Sequence, residues 1–479
     1  MNWPAKLSIN AWGGRTDPCE STLDVDWRRW VLGDGIPVPP RRFMALSKPP
    51  ERGDWRDPDV GWGLILPYGE DLDEAAAGRV EDAPEPIQRL FEHRSQPNNG
   101  RVQTPPLFRW HPSFTGRYHR LRRYYPDGRH EDLSIVGSSR GVGIGKIPEY
   151  LLICASPKRI PWSLQFVLNG AMLVGRLDLS NAGIDNYVSA LIDDWSDAKA
   201  RPDASLVWSA FNGSTDLGRL ARDTIAVPVV EGLRTGPELG AGLCFMDGRD
   251  DTADVAALMS TLAMLAPGLI VTTSHGYTNP ADNHELTGAS LGTLVDANRE
   301  KLETAALLTA WSPEGAIWYA HACCSAGSEG RNRYAGLVAK DRQLDRMLEG
   351  IAALGDHCAP LPRALLAAER PLRAFVGHVQ PTFDWSLRER ETSQPLTGAL
   401  THALTDELYR LRPVAMAFRR SFHDALILHT LYEQTLRDYN NGNGDLGLAL
   451  ALRLTAIDRS SMVVLGDPTV TLAPEVSPE

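Results

Sequence analysis

Two apolar segments of the chain end directly in side chains that can do chemistry together. Residues 268–274 are followed by His275 and Gly276, and residues 316–322 are followed by Cys323. A thiolate is a strong nucleophile, but a free thiol with a pKa near ~8.5 needs a neighbouring imidazole to ionise at neutral pH. The two matching segment ends therefore predict nucleophilic catalysis by a Cys-His dyad.

The glycine beside the histidine suits the same chemistry. Gly276 lets the backbone come close to a substrate carbonyl, and its N–H and that of Cys323 would form an oxyanion hole worth about 3 kcal/mol per donor. Taken singly, a cysteine after an apolar strand is more often a small buried residue, and a lone histidine is more often a satisfied polar residue. Their occurrence together favours catalysis over the structural alternative.

A zinc site is a weaker alternative, with ligands drawn from His275, His284, His321, Cys323 and Cys324. The adjacent pair Cys323 and Cys324 does not fit the usual spacing of about two to four residues between zinc ligands. We therefore expect neither a metal nor another cofactor.

The elements that must position these residues show an α/β pattern. From Tyr150 onward, short apolar runs alternate with amphipathic stretches, and most runs are apolar on both faces, as in parallel strands covered by helices. Functional residues of such sheets gather beyond the carboxyl ends of the strands, so neighbouring strands would bring His275 and Cys323 into one crevice. The predicted strands are 150–156, 205–211, 242–248, 268–274, 316–322 and 373–379. The predicted helices are 253–265, 294–311, 344–354, 398–410 and 414–438.

The chain divides by composition into three predicted parts. Residues 1–140 hold 16 of the 34 prolines and seven of the 13 tryptophans, which predicts a folded, loop-rich accessory module. Residues 141–235 are predicted to form a leading subdomain, and residues 236–479 the catalytic domain.

Composition and charge exclude several classes of protein. The 479 residues carry 49 Lys and Arg against 60 Asp and Glu, a net charge of -11 that disfavours generic binding to nucleic acid or anionic lipid. Residues 255–271, the most apolar stretch, are too short to span a membrane and are interrupted by Pro267. The six cysteines show no paired framework, and the first residues show no secretory signal, so we expect a cytoplasmic protein without membrane contact.

Five segments in fixed order carry a resemblance to a known family. They are YLLICASPKRIPWSLQ, GLIVTTSHG, WYAHACCSAGS, RAFVGHV and MVVLGDPTVTL. Over residues 145–473 the chain resembles the gingipain-type and CHAT-type caspase-like cysteine peptidases of bacteria, and the order of the motifs makes the resemblance specific. It implies a caspase-like fold, with His275 as the catalytic histidine and Cys323 as the nucleophile. Residues 1–140 show no such resemblance.

The adjacent thiol of Cys324 raises the question of which cysteine reacts. Neighbouring side chains of an extended strand point to opposite faces, so only one of the two can meet His275. Placement directly after Ala322 favours Cys323, and Cys324 is expected to pack beneath it or to stay a spare thiol.

The resemblance also indicates which residues would bind substrate. His321 matches a position that lines the pocket for the side chain before the scissile bond, although several branches of the family have an acidic residue there. Asp384 and Trp385 lie on a loop expected to border the cleft. A histidine bonded to its neighbours and a core tryptophan are equally plausible structural interpretations. Other acidic residues, among them Asp247 and Asp384, would still allow cleavage after Arg or Lys.

An arginine-rich stretch at residues 116–130 has three interpretations. Its arginines and tyrosines could bind single-stranded nucleic acid, or form an exposed site of self-cleavage. We favour a solvated hairpin with its turn at residues 126–128.

These observations together predict a cysteine endopeptidase that hydrolyses a peptide bond in a protein substrate. The resemblance suggests a role in antiviral defence or regulated cell death, with a dedicated effector protein as the partner. The alternative is a non-catalytic caspase-like scaffold that binds a partner through the same fold.

Overall fold

A computed structural model describes most of the chain, and it divides into two compact units. The described residues are 6–9, 19–22, 51–69, 71–96, 104–211, 216–250, 253–278, 283–340, 343–389 and 392–473. The first unit, Met1–Pro50, contains the antiparallel strand pair Lys6–Ile9 and Cys19–Thr22. The second unit is Glu51–Glu479 and contains all other described elements.

The β-strands, numbered in chain order, have the following bounds. They are β1 Lys6–Ile9, β2 Cys19–Thr22, β3 Trp62–Pro67, β4 Leu107–Trp110, β5 Arg120–Tyr124, β6 His130–Ser134, β7 Tyr150–Cys154, β8 Leu173–Leu177, β9 Arg201–Ser209, β10 Leu243–Asp247, β11 Pro267–Thr273, β12 His275–Gly276, β13 Leu294–Val295, β14 Ile317–His321, β15 Gly327–Ser328, β16 His357–Cys358, β17 Ala374–His378 and β18 Met462–Gly466.

The helices of the second unit lie mainly between these strands. The α-helices are Glu74–Ala77, Glu85–Arg94, Trp162–Asn169, Asn181–Ile192, Leu217–Ala221, Val227–Arg234, Pro237–Ala241, Val255–Leu265, His284–Ser290, Thr304–Ala310, Gln343–Ala353, Pro360–Ala367, Gly398–His402, Val414–Ala417, Arg419–Asn440 and Leu446–Ser460. Short 3₁₀ segments are Pro112–Phe114, Gly248–Asp250 and Asp384–Ser386, and π-helical segments are Arg222–Ala226 and Ala403–Glu407.

One sheet of twelve strands forms the centre of the second unit. Its spatial order is β10-β9-β11-β14-β17-β18-β8-β7-β3-β4-β5-β6. Most neighbouring pairs are parallel, and the antiparallel pairs are β17–β18, β4–β5 and β5–β6. The prediction of an α/β fold with a mostly parallel sheet is therefore confirmed.

The central strands are buried on both faces. Every residue of β8, β11, β14, β17 and β18 is buried, which requires cover on both sides of the sheet. In β3, Leu64 and Leu66 join the main apolar cluster, whereas Ile65 between them joins a second cluster with Phe108 and Ile153. The alternation follows the twofold period of a strand, which sends successive side chains to opposite faces.

The predicted elements of the catalytic half appear with shifted ends. All six predicted strands are present, as β7, β9, β10, β11, β14 and β17. The predicted helix 294–311 is wrong over its first part, because Leu294–Val295 pairs as β13 with β12, and the helix spans only Thr304–Ala310.

The leading part of the chain contributes more regular structure than its composition indicates. Strands β3, β4, β5 and β6 lie within residues 51–140 and extend the same sheet that contains β11 and β14. The compact units divide at Pro50, whereas the predicted accessory module ends at residue 140. Strand β9, at Arg201–Ser209, belongs to the predicted leading subdomain by sequence. In the sheet it pairs with β10 and β11, which belong to the predicted catalytic domain.

None of the helices in the described ranges combines the length and the apolar character needed to cross a membrane.

Candidate active site

Neighbouring parallel strands bring the two candidate catalytic segments together. β11 pairs in parallel with β14, with Thr273 opposite His321, and the N–H of Ser274 donates to the carbonyl of His321 at 3.2 Å. β9 lies on the other side of β11. Because the three strands are parallel, the segments that follow them leave the sheet at one edge.

The backbones of the two catalytic segments are in direct contact. A Cβ atom built on Gly276 would lie 1.9 Å from the carbonyl oxygen of Cys323 and 3.0 Å from its nitrogen. No side chain fits at that distance, so only glycine permits this approach. Gly276 is held in place by β12, which pairs with β13 through Leu294.

The imidazole of His275 is oriented by a carboxylate. Its Nε2–H donates to Oδ1 of Asp216 at 2.7 Å, and the side chain of Asp216 is 9% exposed whereas that of His275 is 52% exposed. Asp216 also caps the helix Leu217–Ala221, since the same Oδ1 accepts the N–H of Gly218 at 2.7 Å. The carboxylate is therefore fixed, and the hydrogen bond leaves Nδ1 of His275 as the basic nitrogen.

The thiol of Cys323 is half-buried and lies against Thr382. The N–H of Thr382 is 3.3 Å from Sγ, and its Oγ1 and carbonyl oxygen are 3.6 and 3.7 Å away. Burial raises the pKa of the Cys323 thiol above its ordinary value, although the contacts with Thr382 act in the opposite direction. Within the described residues, the hydrogen-bond partners of this thiol lie on Thr382, and the imidazole of His275 bonds Asp216.

The loop after Cys323 is tightly enclosed by backbone. Cys324 adopts a left-handed conformation with φ 56°, and its fully buried side chain packs with Leu291 and Ile351. Side chains at Gly292 and Gly377 would collide with the carbonyl of Cys324 and with Ser325. Cys324 is thus the packing residue expected from the sequence.

His321 lies inside the fold rather than at an open surface. It is 4% exposed, its Nδ1 is 3.2 Å from the hydroxyl of Tyr319, and its ring packs edge-on against His378. Burial, and to a lesser extent His378, lowers the pKa of His321 to about 3. Behind it, Nδ1 of His378 is 3.4 Å from Oδ1 of the buried Asp458. In this structure His321 is therefore a neutral packing residue, and the predicted pocket-lining role does not match its burial.

The loop that carries the two other predicted substrate-binding residues does reach the thiol. Thr382 contacts Cys323, and the short helix Asp384–Ser386 follows it directly. Asp384 is exposed. The side chain of Trp385 lies outside the described residues.

The carboxylate of Asp247 forms ion pairs with Arg222 and Arg249. Its carboxylate accepts two hydrogen bonds from Arg222, at 2.7 and 2.6 Å, and another from Arg249 at 3.0 Å. Asp247 is buried, yet these arginines lower its pKa to about 2. It therefore has no free charge with which to select a basic substrate.

The arginine-rich stretch forms the expected hairpin. β5 and β6 pair in an antiparallel manner across the turn at residues 126–128. Arg122 pairs with Asp132, and Arg123 donates to the carbonyls of Val142 and Lys146. Arg129 pairs with Asp127, so three of the five arginines of the stretch are engaged in contacts within the protein.

Two residues of the site were not predicted from the sequence. Asp216 and Thr382 each follow a strand of the sheet, β9 and β17, by only a few residues. Asp216 stands in an Asp-Leu-Gly sequence typical of a helix N-cap, which is the signal that could have placed it at the same edge as His275. Nothing in the sequence around Thr382 indicates contact with a thiol.

Comparison with known proteins adds no further assignment. No protein-family model and no curated protein matches this chain.

Proposed function

We propose that the chain is a cysteine endopeptidase in which Cys323 is the nucleophile and His275 the proton carrier. The observation that carries the proposal is the contact between Gly276 and the backbone of Cys323 at the ends of two adjacent parallel strands. It holds an imidazole-bearing segment and a thiol-bearing segment at a fixed mutual distance. Such pre-positioning supplies much of the rate acceleration in acyl transfer.

Asp216 would act as the residue that positions the base. Its hydrogen bond to Nε2 of His275 fixes the imidazole tautomer and stabilises the imidazolium that forms during the reaction. Because Asp216 is also anchored to the N-terminus of a helix, its carboxylate keeps its position, and the imidazole can turn only by giving up its hydrogen bond to Asp216.

The acylation step follows from these roles. Nδ1 of His275 removes the thiol proton, and the Cys323 sulfur attacks the carbonyl carbon of the scissile peptide bond. The carbonyl oxygen gains the negative charge, which the amides of Gly276 and Cys323 would stabilise. The imidazolium then protonates the leaving nitrogen, the C–N bond breaks, and a thioester remains on Cys323.

Deacylation reverses the proton path. His275 takes a proton from water, the hydroxide attacks the thioester carbon, and the C–S bond breaks. The products are a carboxylate and the regenerated thiol, so hydrolysis requires no oxidant, metal or other co-reactant.

One observation favours the alternative of a binding scaffold. The Cys323 thiol contacts Thr382, and burial raises the pKa of this thiol, which disfavours the thiolate that the dyad needs. Under the peptidase proposal, substrate binding must shift the thiol from Thr382 towards His275, since catalytic hydrogen bonds often tighten only in the substrate complex.

Reactivity and turnover of matched variants separate the two functions. The protein is incubated with a proteome-derived peptide library, and separately with an iodoacetamide probe whose position is mapped by mass spectrometry. We expect cleavage by the wild type, none by Cys323→Ala, and at least a hundredfold loss in kcat/KM for His275→Ala and Asp216→Asn. Cys244→Ala, which removes a half-buried thiol of β10 outside the site, should cleave as the wild type does.

The proposal fails if no peptide is cleaved or if Cys323→Ala retains the activity. Labelling of Cys323 that is equally fast in His275→Ala would assign the thiol to a scaffold without a functional dyad.

The protein substrate and the role in defence or cell death rest on the family resemblance, whereas the preference for Arg or Lys rests on acidic residues and the acidic net charge, and the cytoplasmic location on the unpaired pattern of the cysteines. We propose them on that basis, and the cleavage sites in the same library test the preference directly.

A further inference from the structure

A group of three potential metal ligands lies on one turn of helix away from the active site. His402 ends the helix Gly398–His402, and Asp406 and Glu407 lie in the π-helical segment Ala403–Glu407 that continues it. A π-helical turn contains between four and five residues, because its hydrogen bonds join residues five apart. Both Asp406 and Glu407 therefore return to the side of His402, which an α-helix would allow only for Asp406.

The distances within the group fit a tetrahedral zinc site. Nε2 of His402 is 3.3 Å from Oε1 of Glu407 and 3.5 Å from Oδ2 of Asp406. Ligand atoms about 2.0–2.2 Å from a tetrahedral zinc ion are about 3.4 Å apart. The three ligand atoms all lie within 4.8 Å of one another, so a small rotation of one carboxylate completes the triangle.

The oxygen of Asp406 that faces His402 has no hydrogen bond. Nε of Arg410 lies 2.9 Å from both carboxylate oxygens of Asp406. Its N–H forms a hydrogen bond with Oδ1, whereas its contact with Oδ2 is an ion pair without hydrogen-bond geometry. Oδ2 is buried from solvent and is left without a hydrogen-bond partner. Likewise Oε2 of Glu407, and not Oε1, faces Arg412 at 4.0 Å. Oε1 of Glu407 is thus turned to His402, whereas Oδ2 of Asp406 lies between Nε2 of His402 at 3.5 Å and Nε of Arg410 at 2.9 Å.

A cavity of about 280 Å³ adjoins the group and is lined by His402 and Glu407. Arg419, Arg420 and His423 also line this cavity. The two carboxylates, which also face Arg410 and Arg412, would supply the negative charge opposite a divalent ion, and a water molecule from the cavity would complete four-coordination.

We propose that His402, Asp406 and Glu407 bind one divalent transition-metal ion of the zinc class, with the fourth coordination position open to the cavity. The site is independent of the Cys-His dyad and clamps the end of the helix Gly398–His402 to its π-helical extension.

Equilibrium dialysis of the full chain with Zn²⁺, after removal of metal by a chelator, tests the proposal. A Cys323→Ser background removes the reactive thiol, and Co²⁺ in a second titration reports ligand type by its absorption. We expect one tightly bound ion per chain and a tetrahedral Co²⁺ spectrum without thiolate charge transfer. His402→Ala and Glu407→Gln should each weaken binding at least about tenfold, and His130→Ala, an exposed histidine of the β5–β6 hairpin, should leave it unchanged.

Three outcomes overturn the site: absence of a bound equivalent in the parent protein, unchanged affinity in both ligand variants, or a thiolate band with Co²⁺. Circular dichroism establishes that each variant is folded. If His402→Ala does not fold, the nearly isosteric Glu407→Gln decides the result.

Discussion

At the scale of single residues, the environments of the imidazole and the thiol depend on the residues that contact them, Asp216 and Thr382. In the proposed function His275 and Cys323 carry the chemistry, and the contacts with Asp216 and Thr382 orient the imidazole and the thiol. The sequence indicates the reactive residues because thiols and imidazoles are rare at strand ends. It does not indicate their partners, since aspartate and threonine are common in loops.

Gly276→Ala should impair both folding and catalysis. The added methyl group would overlap the carbonyl of Cys323, and the forced displacement should lower the free energy of unfolding by about 1–3 kcal/mol. Labelling of Cys323 by iodoacetamide should slow in parallel. Gly398→Ala is the control, because a methyl group there meets no atom within 4 Å. Equal stability of the two variants in urea unfolding would contradict the close approach.

The buried His321 should make folding sensitive to acid. Its folded pKa of about 3 lies below the ordinary value near 6.5, so the unfolded state binds the proton first. The stability from keeping His321 neutral is present above pH ~6.5 and is lost as the pH falls towards 3, by an amount on the order of 4 kcal/mol. Urea unfolding at several pH values should show a shallower decline for His321→Asn than for the wild type. A parallel decline in both would refute the lowered pKa.

At the scale of elements, buried ion pairs fix the segments that surround the site. Arg222, in the π-helical segment Arg222–Ala226, forms a bidentate pair with Asp247 at the end of β10. This pair lies close in sequence to the helix that Asp216 caps. From the sequence alone, Asp247 could bind a basic substrate or form a structural ion pair. The position of Arg222 in the structure distinguishes these two roles.

Asp247→Asn should destabilise the protein without a specific effect on substrate preference. Removal of one charge leaves the buried Arg222 with Asp223, at 2.6 Å, as its remaining carboxylate partner, and we expect a cost of up to about 3 kcal/mol. Because the pKa of Asp247 is lowered to about 2, the stabilisation is present above pH ~3.9 and is lost as the pH falls towards 2. Thermal unfolding measures the loss, and library profiling of cleavage sites measures preference. A changed preference at unchanged stability would reassign Asp247 to the substrate pocket.

At the scale of the whole molecule, the continuous sheet joins early and late parts of the chain. β8 pairs with β18 through Gly175 and Arg176, and the loop after β18 carries the buried Asp467. Asp467 accepts hydrogen bonds from Trp62 Nε1 at 3.1 Å and from Arg94 at 3.3 Å. A turn that the sequence indicates only as Gly-Asp-Pro thus connects the leading strands to the catalytic ones.

Asp467→Ala should lower the local stability of the leading strands β3 and β7 and of the later strand β17 together. Loss of the carboxylate leaves the buried Arg94 and Trp62 without this acceptor, and we expect a loss of about 3 kcal/mol. Hydrogen exchange followed by mass spectrometry should then accelerate in β3 and β7 as well as in β17. Faster exchange in only one group would show that the two groups unfold as separate units.

The sequence by itself determined the class of fold and indicated His275 and Cys323 as the candidate catalytic residues. Apolar runs that are buried on both faces predict parallel strands covered by helices, because no half-exposed strand tolerates such composition. The placement of His275 and Cys323 directly after two such runs predicts their approach, since parallel strands end at one edge.

Only the tertiary structure decided the partners and the boundaries. Asp216 meets His275 across 59 residues, and Thr382 meets Cys323 across 59, because separate loops converge at the sheet edge. The leading strands β3 to β6 joined the sheet although proline and tryptophan made them look irregular, since pairing with β7 supplies hydrogen bonds that local sequence does not reveal. Long-range pairing is a property of the folded chain, and no short window of sequence contains it.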